Sequence, residues 1–208
     1  MTHSHHRQGS VESLKNDFVM FAYCAKGINM EGAGPKLRRI AEIVFDAGPV
    51  NAGSSRENKS IAAGTWDKET AMEAQSRARS FIACFDDRER IKRVLERLKE
   101  EDLGISVTLS GLTEDVMELA REVGLTPHTA NVSLGVWGNK AKLPEGGVLE
   151  FSTMCGHSLV AFNLVKKALA EVAAGTMTPE EAARMAGEPC NCGIVNLARG
   201  ARLLQREA

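Results

Sequence analysis

The sequence lacks an excess of charge: 26 lysines and arginines face 27 aspartates and glutamates, for a formal net charge of −1. No overall field then draws the chain to nucleic acid or acidic lipid, and nucleic acid is not an expected partner. Any apolar run of bilayer-spanning length is also missing, and the start, MTHSHHRQGS, has no apolar signal-peptide core. A cytoplasmic protein without membrane partners is expected. The five cysteines are an odd set with no secretory signal beside them, which fits a reducing compartment better than a disulfide framework. Internal repeats and low-complexity tracts are absent, as are a P-loop, a dinucleotide fingerprint, a serine triad and a nucleophile elbow.

What is present is an ordinary globular balance, with 43% apolar and 25% charged residues over 208 positions. One α/β domain over residues 11–208 is expected, behind a disordered tail at 1–10 whose histidines fray with it. Leu14, Phe18, Phe21, Ala22 and Ala25 recur at helical spacing, so 11–25 reads as a helix; a second carries Leu37, Ile40, Ala41 and Val44 and stops at Gly48 and Pro49. Residues 49–65, rich in glycine, serine and asparagine, read as a long loop, and DKETAMEAQSRARSFIACF as a helix. A further helix buries Ile91, Val94, Leu95 and Leu98, and its charged run from Asp86 to Asp102 is a solvated face.

ISVTLSG reads as a strand, LTEDVMELAREVG as a helix capped by Thr113 and closed by Gly124, and ANVSLGVWG and GVLEFST as two more strands. The alternation suggests a right-handed βαβ unit in a small mixed sheet of about three to four strands, with helices packed on it and helical N-terminal and C-terminal segments. MCGHSLVAFNLVKKALAEVAAG reads as a long helix. TPEEAARMAG opens another with Thr178 as cap, Pro179 in the first turn and Glu181 closing a capping box, and a last helix covers 195–205.

Chemistry concentrates in two short stretches, STMCGHSLV and GEPCNCGIVN. Cys155, placed where a strand gives way to a helix, is favoured as thiolate by the free N–H groups of the helix start, and His157 two residues on can ligate, hydrogen-bond or titrate. Gly156 allows close backbone approach. Pro189 stiffens the second stretch and Gly193 lets it turn away, presenting Cys190 and Cys192 as a rigid knuckle. An antiparallel return of the helices between them can bring all three sulfurs together.

Soft sulfur donors exclude calcium and magnesium and leave three readings. Three thiolates can hold an iron–sulfur cluster with an open iron, serving a small-molecule substrate or a redox partner protein. With His157 the set becomes a Cys3His zinc site in a structural accessory module. In the third, Cys155 is a nucleophile or redox thiol aided by His157, with Cys190 and Cys192 resolving. The Cys-x-Cys spacing matches neither a zinc knuckle nor a ferredoxin run. Cys24 and Cys84 read as apolar filler, with Cys24 near enough to a glycine-rich turn to swing in as a further ligand. His128 is a weaker site candidate, Trp66 and Trp137 read as packing, and GAGPKLRR is a weak phosphate cradle.

Overall fold

The computed structural model describes residues 3–75 and 78–208. Five strands, β1 Phe18–Tyr23, β2 Asn51–Ser54, β3 Lys59–Ser60, β4 Ser80–Phe85 and β5 Ser106–Ser110, form one sheet in the order β3-β2-β4-β1-β5. The helices are α1 Val11–Leu14, α2 Ala33–Asp46, α3 Lys68–Ala74, α4 Arg88–Glu101, α5 Thr113–Glu122, α6 Gly146–Ser152, α7 Phe162–Ala173, α8 Pro179–Gly187 and α9 Leu197–Glu207. The α/β class is as expected. The sheet, however, is antiparallel at every described pairing, so it is neither mixed nor built on a βαβ unit, and it has five strands where three to four were expected.

Strand alternation divides the molecule into two cores. Phe18, Met20 and Ala22 of β1 and Phe81, Ala83 and Phe85 of β4 point to one face, where Leu37, Ile40 and Val44 of α2, Ile91 and Val94 of α4 and Leu119 of α5 cover them. Val19, Ile82 and Cys84 point to the other, against Phe151 of α6, Val165 of α7, Ala186 of α8 and Leu203 of α9. Helices thus sandwich the sheet, and the cysteine-bearing segments belong to the second layer.

This double coverage explains several departures from the sequence reading. Residues 18–23 and 80–85 lie on central strands buried on both faces, so their apolar runs are continuous rather than alternating and mimic helix spacing. The expected first helix shrinks to α1, and the expected helix at 67–85 splits into α3 and β4, with positions 76 and 77 outside the described residues. The loop at 49–65 folds as the β2–β3 hairpin. GVLEFST is not a strand but α6, with Gly147, Val148, Phe151 and Ser152 buried at helical spacing. Residues 130–138 form no strand; Val132, Leu134 and Trp137 stand exposed without a pairing edge.

The expected capping box at Thr178 and Glu181 is present, with Pro179 in the first turn of α8. Residues 3–10 are fastened to the body: Ser4 Oγ lies 2.9 Å from Ser110 Oγ, the Gln8 N–H donates to Thr153 Oγ1 at 3.0 Å, and Arg7 is buried. No described helix is long and apolar enough to cross a membrane.

Candidate metal centre

Cys155 lies in the loop between α6 and α7, seven residues before α7 begins. The helix-start argument for its thiolate therefore fails, and local backbone takes that role: the N–H groups of His157 and Leu159 both point at its sulfur. Ser158 adopts a left-handed φ of 57°, which folds this loop back over Cys155, and its N–H donates to the Cys155 carbonyl at 3.1 Å.

Cys190 and Cys192 occupy the turn from α8 to α9. The Cys190 N–H closes on the Gly187 carbonyl at 2.9 Å and the Gly193 N–H on the Cys190 carbonyl at 3.3 Å, so the knuckle is a tight hydrogen-bonded turn. The N–H of Val195 points at the Cys190 sulfur and that of Ile194 at the Cys192 sulfur. Gly193, at φ 73°, brings its backbone against β2, where an added Cβ would stand 2.2 Å from the Ala52 carbonyl carbon. Its want of a side chain serves this backbone contact. Asn51 braces the same turn, its Nδ2 donating to the Val195 carbonyl at 2.9 Å while its Oδ1 accepts from Ala62 N.

The chain runs out along α7, returns along α8, and sets the two stretches side by side. Cys155 donates a hydrogen bond to Cys190. Cys190 Sγ is 3.9 Å from Cys192 Sγ, and Cys192 Sγ is 3.5 Å from His157 Nδ1. The three cysteines are 0 to 3% exposed, whereas His157 is exposed, so the imidazole forms the outer wall.

Of the three thiols, Cys155 and Cys190 are held above the ordinary value and Cys192 below it. The bond that Cys155 donates to Cys190, with burial, holds its proton tightly and keeps the thiol far above its ordinary value. Cys190 gains from accepting that bond, but the bond it donates to Cys192 and its own burial prevail, pushing it up to about 11. Cys192, accepting from Cys190, lies below the ordinary thiol value.

Two weaker candidates stay away. Cys24 is buried in the core on the opposite face of the sheet and cannot swing in, because β1 and β4 intervene. His128 is exposed in the segment after α5. Cys84, buried in the second core as the filler reading expects, also faces the site from β4, with its Sγ donating to the Val195 carbonyl at 3.5 Å and burial holding its thiol up. Trp66 packs in the first core, as expected, and Trp137 is exposed. Beside Cys155 and Gly156 opens a cavity of about 440 Å³, walled by Leu143, Leu149, Val160 and Phe162.

Sequence reasoning missed the charged cluster behind the cysteines. Asp17, wholly buried after α1, pairs with Arg7 and, at 2.9 Å, with Arg199 of α9; Asn196, the cap of α9, donates to it at 3.0 Å. Only Asn196 carried a sequence signal, as an N-cap residue before a helix.

Among the described residues, no group of three or more histidine, cysteine, aspartate or glutamate side chains that could hold a metal ion is found. The contacts run as a row, Cys155 to Cys190 to Cys192 to His157. Comparison with protein-family models, with curated proteins and with solved structures gives no match.

Proposed function

We propose that the chain is a metal-binding protein in which Cys155, Cys190, Cys192 and His157 hold one soft transition-metal ion, with zinc the best fit. Two contacts within the row support this reading. Around a tetrahedral ion with metal–sulfur bonds of about 2.3 Å and a metal–nitrogen bond of about 2.0 Å, two sulfurs stand about 3.8 Å apart and a sulfur and nitrogen about 3.5 Å. The Cys190–Cys192 contact is 3.9 Å and the Cys192–His157 contact 3.5 Å. Thiolates on different irons of a cluster stand farther apart, because each occupies its own corner. The backbone N–H groups aimed at each sulfur support the same conclusion, since such donors stabilise thiolate over thiol. Four protein donors make a closed site, whose work is to pin the 153–160 and 188–196 loops together.

An iron–sulfur cluster on the three cysteines, with His157 outside the ligand set, is the second reading. It is favoured by the cavity at Cys155 and Gly156, which gives a small molecule room to approach an open iron. A Cys155 nucleophile has less support, because burial and the hydrogen bond to Cys190 hold its thiol above the ordinary value. Titration of oxygen-protected, metal-free protein with cobalt(II) tests the proposal. One equivalent should produce the visible bands and sulfur-to-cobalt charge transfer of a tetrahedral thiolate site, displaced by zinc. Absence of these bands, or a brown protein bleached by dithionite, would count against it.

A further inference from the structure

Arg7 comes from the segment ahead of α1 and ends between the two cysteine loops. Its guanidinium donates to the carbonyl of Met154, the residue before Cys155, at 3.5 Å, and to that of Ile194, two residues after Cys192. The same fork pairs with buried Asp17, which Arg199 and Asn196 hold from α9. Arg7 is buried near Cys84 and Cys190, and its Nε–H has no partner among the described residues.

A carbonyl on each loop, received by one planar fork, fixes the separation of the loops in a way that no single loop can. Three thiolates and one imidazole on a divalent ion leave an excess negative charge in a dry interior, and burying it is costly without a nearby cation. Arg7 meets both needs. Asp17 fixes the orientation of the fork and is itself shared with Arg199, which also pairs with Glu150 at 3.3 Å.

We propose that Arg7 is a positioning residue of the metal centre, tying the Cys155 loop to the Cys190–Cys192 loop and placing a positive charge behind the thiolates, so that docking of residues 3–10 and metal binding are coupled. The claim rests on the metal-ion reading above. By linkage, whatever factor docking adds to metal affinity, metal must add to docking.

The test compares the wild-type chain with Arg7→Met and Arg7→Lys, using zinc affinity from competition with a chromophoric chelator together with the cobalt(II) spectrum. Residues behind metal ligands typically contribute about 10–100-fold to affinity. Arg7→Met should lose at least tenfold while keeping a tetrahedral cobalt spectrum. Arg7→Lys, which restores charge but not the fork, should fall between the two. Hydrogen exchange on the wild-type chain reads the coupling without any variant: zinc should slow amide exchange over residues 4–10. Equal zinc affinity in folded Arg7→Met, or exchange over 4–10 indifferent to zinc, would overturn the role of Arg7 while leaving the metal site standing. A wild-type chain that takes up neither zinc nor cobalt would overturn both.

Discussion

Replacing Gly193 with alanine tests how the cysteine knuckle is held. At φ 73° an L side chain already meets its own backbone, a cost of about 1–2 kcal/mol. The new Cβ would also stand 2.2 Å from the Ala52 carbonyl carbon and 2.3 Å from the Gly53 nitrogen, and these are sheet backbone atoms that no rotamer can move. Opposite it, Gly53 is equally bare, with its own absent Cβ 2.9 Å from the Gly193 nitrogen. Forcing the two backbones apart adds about 1–3 kcal/mol, the usual toll of overpacking. The expected total of about 2–5 kcal/mol corresponds to a melting-temperature drop of roughly 4–20 °C in a chain of this size. Because the displaced turn carries Cys190 and Cys192, zinc affinity should fall in the surviving folded protein.

Gly175 supplies the control. It has a similar φ of 68° but open space around it, so Gly175→Ala should show the conformational cost alone. Urea denaturation of both variants measures the difference. Equal destabilisation, to within about 0.5 kcal/mol, would refute the close approach of knuckle and strand.

Further outcomes follow from the buried charges and the donors. Asp17→Asn leaves Arg7 facing no carboxylate and Arg199 only Glu150 at 3.3 Å, and should destabilise by about 3–5 kcal/mol, read by denaturant unfolding. Burial alone would raise the Asp17 carboxyl, but Arg7 and Arg199 outweigh it and hold it below its ordinary range. Its contribution is therefore complete above the unfolded value of about 4 and is lost as pH falls through the lower folded value; the acid limb of an unfolding series should flatten in Asp17→Asn. Cys190→Ser should abolish stoichiometric cobalt binding, whereas Cys24→Ser, on the far side of the sheet, should leave the cobalt spectrum unchanged. His157→Ala should shift the cobalt bands and weaken zinc binding, because the outer wall of the site then becomes solvent.

Much of the site was legible in the residues, though for partly different reasons. Pro189 and Gly193 do frame a rigid turn, and the α7–α8 return does deliver it to Cys155, because the capping box at Thr178 starts α8 where a short hairpin needs it. The thiolate argument for Cys155 named the wrong backbone: no helix begins there, and the N–H groups belong to a loop whose Ser158 conformation sequence alone does not announce. The sheet was harder to read. β1 and β4 are covered on both sides, which erases the two-residue alternation that marks a strand. Arg7 and Asp17 gave no local signal, since their meaning lies in partners 182 and 187 positions away in the chain. Cys84 became visible only once β4 was a strand, whose even-numbered residues turn away from the first core that Phe81, Ala83 and Phe85 fill.

Metal analysis of protein purified under oxygen exclusion, with iron, zinc and acid-labile sulfide measured against chain concentration, addresses the central claim directly. One zinc per chain, with neither iron nor sulfide, is the predicted result. Several irons with matching sulfide, or a chain that retains no metal and binds none when zinc is supplied, would contradict it.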